Sequence, residues 1–128
     1  MLFFFLLSQL FSIPSQEWIP YYEDKNIAIS YTPKLCEDKQ NGFAFEYYFI
    51  KVENLTEQTL VVNFNKSAEM ISKEEDNVAF VLAPKEIKKG SCEFSPVKLR
   101  VYKTDRRSSK STQIDPFALS KIKVIEVK

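Results

Sequence analysis

Histidine is absent from this chain of 128 residues. Its absence removes Ser–His–Asp and Cys–His nucleophile pairs, imidazole general bases and His-containing zinc sites. Glycine occurs only twice, at Gly42 and Gly90. Gly-rich phosphate loops, collagen-like repeats and flexible Gly-rich linkers are therefore excluded. Two cysteines without histidine do not make a usual structural zinc site. There is no internal repeat, no low-complexity tract and no long amphipathic helical pattern. The expectation is a protein that is not an enzyme and carries no cofactor.

The first residues are the most informative. Met1–Ser15 (MLFFFLLSQLFSIPS) has no charged side chain, and its apolar core Leu2–Phe11 has signal-peptide length. Ser8, Gln9, Ser12 and Pro14 interrupt it, and a bilayer-spanning helix needs about 20 apolar residues. Residues 1–15 read as a secretory signal peptide, residues 16–26 as a lead-in and residues 27–128 as one domain. An uncleaved anchor and a buried core element are the other readings. No Lys or Arg precedes the apolar core, and Ile13 stands where a small residue is usual before cleavage. Export implies a secreted or periplasmic protein with no stable membrane span after signal cleavage. In an oxidising setting Cys36 and Cys92 form the one possible disulfide; two free buried thiols are the alternative.

β-branched and aromatic residues cluster in short runs that favour strands. Asn26–Tyr31 reads as a first strand stopped at Thr32-Pro33, followed by a polar loop, Lys34–Gly42, that holds Cys36. Phe43–Glu53 (FAFEYYFIKVE) has Phe43, Phe45, Tyr47 and Phe49 on one face and Ala44, Glu46, Tyr48, Ile50 and Val52 on the other. Bulky groups on both faces fit a central strand. Thr59–Asn65 follows a short polar link and reads as its hairpin partner. Ala68–Ser72 reads as a short edge strand and Val78–Leu82 as another strand. Ala83-Pro84-Lys85-Glu86 suits a type I turn. Val97–Lys103 and Ile122–Val127 complete the set, with one helical turn capped at Asp115-Pro116 between them. Seven or eight short strands joined by turns predict an all-β antiparallel sandwich.

The pattern resembles small secreted bacterial sandwiches of the immunoglobulin-like or fibronectin type. The residues that carry the resemblance are the strand Phe43–Glu53 with Thr59–Asn65, then Val78, Phe80, Leu82, Pro84 and Glu86 with Gly90 and Cys92. It covers roughly residues 27–127 and implies a single immunoglobulin-like domain. Antibody-type domains pair their cysteines across the two sheets around a core Trp. Here Trp18 precedes the first strand, so that subclass is not indicated.

Several groups are candidates for binding. Trp18, Tyr21 and Tyr22 are possible stacking platforms for sugar rings or anchors for a protein. Tyr47 and Tyr48 read as packed within the sandwich. Residues 1–84 hold six lysines against twelve acids, whereas residues 85–128 hold twelve Lys or Arg against five acids. The basic cluster centres on Arg106, Arg107 and Lys110, a possible anion-binding group; a solvated loop is the plainer reading. Aromatic interleaving is missing there, so no nucleic acid is expected. The acidic pairs Glu23/Asp24 and Glu37/Asp38 and the run Glu74-Glu75-Asp76-Asn77 sit in polar turns without a recognisable catalytic or calcium-ligand spacing. Asn54-Leu55-Thr56 and Asn65-Lys66-Ser67 match the N-glycosylation pattern. The function expected is non-enzymatic binding of an envelope or extracellular protein or polysaccharide. A carbohydrate-binding module is the runner-up, followed by a carboxylate-only hydrolase and a subunit that adds a strand to an assembly.

Overall fold

The computed structural model describes residues 17–93, 95–105 and 117–127. Residues 1–15, read from the sequence as a signal peptide, Arg106, Arg107, Lys110 and the helical turn expected at Asp115-Pro116 lie outside the described residues. The described residues form eight strands: β1 (Ile19–Glu23), β2 (Ile27–Asp38), β3 (Phe43–Asn54), β4 (Thr59–Asn65), β5 (Asn77–Leu82), β6 (Ile87–Lys89), β7 (Arg100–Asp105) and β8 (Ser120–Val127). Two single 3-10 turns, Glu69–Ile71 and Glu74–Asp76, separate β4 from β5. All pairings are antiparallel. In the first sheet β2 lies between β1 and β3, and β6 and β7 follow one another along the far edge of β3. The second sheet has the order β5-β4-β8. No helix among the described residues is long and apolar enough to cross a membrane.

The two sheets share one core, which makes the protein an all-β sandwich. Ile27 and Ile29 of β2 with Ile50 and Val52 of β3 form the inner face of the first sheet. Leu60, Val62 and Phe64 of β4 with Phe80 and Leu82 of β5 form that of the second. The Phe64 and Phe80 rings meet edge to face at 6.0 Å, the geometry that ring quadrupoles favour. Each such fully buried side chain contributes about 1.5–3 kcal/mol by leaving water. Leu99 and Leu119 close the open sides.

Alternation in the sequence locates β3, β4, β5 and the end of β8 well, and four local expectations are corrected. β2 does not stop at Thr32-Pro33 but continues to Asp38, so Cys36 lies in a strand and not in a loop. β1 reaches only as far as Tyr31 along β2, so Pro33 sits where no β1 residue is available to receive an N–H. β3 and β4 are not a hairpin: the Asn54–Thr59 link carries the chain from one sheet to the other. The segment Ala68–Ser72 holds the first 3-10 turn, not a strand. In the Ala83–Glu86 turn, Lys85 has φ 63, which a type II turn requires at its third position and a type I turn does not. The tight β2–β3 turn uses Gly42 at φ 75, a conformation that glycine adopts without Cβ strain.

Two buried carboxamides hold the links that follow β3 and β4, Asn54 at the crossing between the sheets and Asn65 at the β4–β5 connection within the second sheet. Asn54 is wholly buried. Its Nδ2 donates to the carbonyls of Gln58 (2.7 Å), Ala83 (2.9 Å) and Leu82 (3.3 Å), while its Oδ1 accepts from the Thr56 N–H and hydroxyl, both at 2.8 Å. Asn65, 1% exposed, repeats the device at the end of β4. Its Nδ2 donates to Lys73 O and Asn77 Oδ1, each at 2.7 Å, and its Oδ1 accepts from the Ser67 hydroxyl. The N-x-Thr and N-x-Ser patterns therefore mark buried side-chain turns. Neither asparagine has room for a glycan in the folded domain. Nearby, Lys66 ties β4 to β7 by donating from Nζ to Lys98 O (3.0 Å) and Arg100 O (3.2 Å). Burial lowers the pKa of this ammonium, Asp76 opposes the shift, and Lys98 and Arg100 add to it.

Replacing Asn54 by Ala removes a donor from three carbonyls and the acceptor of the buried-turn Thr56 N–H and hydroxyl, and is expected to cost about 3 kcal/mol. Asn54→Asp, which buries a charge there as well, is expected to cost more. Urea unfolding midpoints check both the size and the order. At Gly90 a Cβ would stand 2.1 Å from Leu99 O and 3.4 Å from Phe49 Cδ1. Gly90→Ala should therefore destabilise by about 2–3 kcal/mol; an unchanged midpoint would show that the β6–β7 junction yields freely.

Candidate functional site

Directly opposed residues of an antiparallel pair lie on one face. The register of β3 therefore places Phe43, Phe45, Tyr47 and Phe49 on the outer face of the first sheet, with Cys36 opposite Phe45 and Thr32 opposite Phe49. On the other flank Tyr102 and Arg100 stand opposite Tyr47 and Phe49. The result is an aromatic strip. Phe43 stacks on Phe45 at 5.7 Å, Phe45 meets Tyr47 at 6.4 Å and Tyr102 at 6.1 Å, and Tyr47 meets Tyr102 edge-on at 6.0 Å. Solvent reaches its ends, since Phe43 is 47% and Tyr102 44% exposed.

A cation and a covalent bridge fix this strip. The Arg100 guanidinium lies 4.6 Å from the centre of the Tyr47 ring, and its Nη1 donates to Cys92 O (3.2 Å) and Ser91 O (3.4 Å). Cation–π attraction of this kind contributes about 0.5–1 kcal/mol at an exposed site. Cys92 is bonded to Cys36 with the two Cα atoms 5.5 Å apart. Because β3 lies between β2 and the β6–β7 edge, the bridge reaches across β3 on this face. Phe49 and Thr32 are buried there, outside the main core, and Gly90 adjoins Phe49. A loop closed over 56 residues stabilises by about 4 kcal/mol in the chain-entropy model. A disulfide is the state expected of a chain that leaves the reducing cytosol.

The three residues read from the sequence as stacking platforms are placed differently from one another. Trp18 and Tyr22 line an open depression of about 400 Å³ at the β1 end of the outer face, with Pro20, Ser30, Lys51 and Glu53. The Lys51 ammonium stands 5.0 Å over the Trp18 ring and covers one of its faces. Tyr21 also borders the depression, yet its hydroxyl donates to Leu119 O (3.1 Å) and accepts from the Leu119 N–H (2.8 Å). Its ring packs edge-on against Phe117 at 5.1 Å and Tyr31 at 6.2 Å. Tyr21 thus ties β1 to the segment entering β8. Tyr48 packs inward on Tyr31 and Phe117, whereas Tyr47 belongs to the outer strip.

Of the acidic pairs expected in turns, Glu23 lies in β1 and Glu37 and Asp38 end β2, while Asp24 and Asp38 serve turns. Asp24 Oδ1 accepts from the Asn26 N–H (2.8 Å) and the Ile27 N–H (2.9 Å), and Oδ2 accepts from the Tyr22 hydroxyl (2.7 Å). Partial burial pushes this carboxyl upward, but the three hydrogen bonds outweigh it and leave the pKa below the ordinary value of 3.8. The same contact raises the Tyr22 hydroxyl above its ordinary range. Asp38 accepts from the Asn41 side chain and N–H at the β2–β3 turn, which lowers its pKa. Among the described residues no group of three His, Cys, Asp or Glu side chains stands close enough to hold a metal.

Sequence reasoning missed the strip as a site. The signal was the every-second-residue aromatic run in Phe43–Phe49. What it lacked was the choice of inner face, which depends on the β2–β3 pairing. Because the Asp24 pKa is depressed, its contribution is present above about pH 4 and is lost as pH falls through the folded value. Asp24→Asn should cost up to about 1 kcal/mol at pH 7, because solvent screens this partly buried carboxylate. The gap between the two proteins should narrow below pH 4, and unfolding midpoints from pH 2 to 7 check this. No family model, no curated protein and no solved structure matches the chain.

Proposed function

We propose that the protein is an exported, non-enzymatic interaction domain that binds an envelope or extracellular protein through the outer face of its first sheet. The observation that supports this most is the solvent-reaching strip Phe43–Phe45–Tyr47–Tyr102, held by Arg100 and the Cys36–Cys92 bridge. Aromatic and arginine side chains on a rigid support are the residue types that dominate protein–protein contacts. The strip rings face or edge one another, so they offer an apolar ridge more than free ring faces. That favours a protein over a sugar. Export rests on the hydrophobic segment 1–15 and on the disulfide.

A second reading has its own support. The depression walled by Trp18 and Tyr22 has the aromatic lining on which sugars stack, and a glycan-binding module would use it.

A photo-crosslinking residue placed at position 43 or 102 in cells of the native host tests the first reading. Discrete protein adducts are expected from both positions. They should be absent from the exposed control position Lys39 and weakened at least tenfold by Arg100→Ala. Equal labelling from all three positions would sink it. Binding on a glycan array that Trp18→Ala abolishes, with no crosslinks from the strip, would establish the second reading instead.

A further inference from the structure

A sheet edge is a template for another strand, and proteins blunt such edges with proline, bulges, lysine or brevity. Three edges of this sandwich are blunted. β1 carries Pro20 and a register break between Pro20 and Tyr22. β8 carries Lys121 and Lys123, with Lys121 at φ 55 and a break in its register on β4. On the third edge β6 is three residues long with Lys88 and Lys89, and the register of β7 breaks between Glu46 and Tyr47 of β3. β5 has none of these devices. Asn77-Val78-Ala79-Phe80-Val81-Leu82 contains no charge, proline or glycine and pairs with β4 without a break from Leu82 to Asn77. Among the described residues β4 is its one partner strand. Asn77, Ala79 and Val81 face solvent, Val81 at 53% exposure.

Charge on either side of β5 indicates what fits this edge. Glu74, Glu75 and Asp76 precede the strand directly, and Lys85 follows it in the next turn. An identical strand laid antiparallel brings the acidic end of each copy to the Lys85 end of the other. Opposed residues share a face, so the twofold axis must pass through a residue and not between two. Centred on Phe80, the register sets Ala79 against the partner's Val81, Val78 against the partner's Leu82 and Glu75 towards the partner's Lys85. Centred on Val81, it would draw Pro84, which has no N–H, into the ladder. Centred on Ala79, it would set Glu75 against Ala83.

We propose that the protein forms a twofold dimer by antiparallel pairing of β5 with β5 of a second copy about Phe80, joining the two three-stranded sheets into one of six strands. The pairing uses the second sheet and leaves the aromatic strip of the first sheet free, so it stands or falls independently of the binding role proposed above.

Sedimentation velocity on the disulfide-intact protein, over micromolar to millimolar concentration and at low and high salt, tests it. A monomer–dimer equilibrium that weakens with salt is expected. Ala79→Lys combined with Val81→Lys sets like charges against each other across the axis and should leave a monomer. Glu75→Lys should weaken the dimer about tenfold, and adding Lys85→Glu should restore it. Unfolding midpoints confirm that each variant is folded. A folded wild-type protein that stays monomeric at millimolar concentration overturns the proposal. So does a dimer that survives the paired lysines, which would place the contact on another face.

Discussion

A one-residue slip of β2 against β3 would exchange the two faces of the first sheet. Twelve consecutive residue pairs, from Ile27–Asn54 to Asp38–Phe43, hold the observed register. Ile27, Ile29, Ile50 and Val52 then all point into the core, and a slip would place Ala28, Ser30, Lys51 or Glu53 there instead. The same register turns the aromatic run outward, sets Cys36 on the side where Cys92 meets it and brings Asn54 to the bottom of the core. Hydrophobic burial on one face therefore decides what chemistry the other face presents.

The second dependence is polar. Leaving a strand, whether to cross between sheets or to return within one, exposes backbone carbonyls in places where water is excluded. Asn54 and Asn65 answer this with one device: a carboxamide that donates outward to carbonyls and accepts inward from its own turn. Each gives a link a fixed direction. A polar network of this kind is stable because it is satisfied throughout.

Alternation made most strands visible in the sequence, because Leu60–Val62–Phe64 and Phe80–Leu82 repeat with the period of a half-buried strand. The pairing was much less visible. Phe43–Glu53 and Thr59–Asn65 have the signature of a hairpin, yet they pack face to face from different sheets. Period two reports which residues share a face and not whether the next strand lies beside or above. Pro33 read as a stop because proline removes a donor, but beyond Tyr31 no β1 residue awaits that donor. Of the candidate site residues, Tyr21 was legible as an aromatic and illegible as a tie to Leu119, a contact spanning 98 positions. The aromatic strip was legible as a pattern, but its outward side followed only from the register. The sequons were legible as motifs, and only burial showed that they are turns.

The Cys36–Cys92 bond has one more consequence. Inside the ring that it closes lie β3, β4, β5 and β6, strands of both sheets, and the exposed turns that join them. A protease that cuts the backbone within this ring opens a loop but releases no fragment, because the two new ends remain attached through sulfur and the sheets still hold each other. Nicked and intact molecules then have the same shape and, apart from one added water, the same mass until a reductant separates them. Wherever proteases reach those turns, the bond extends the useful life of a chain that has already been cut.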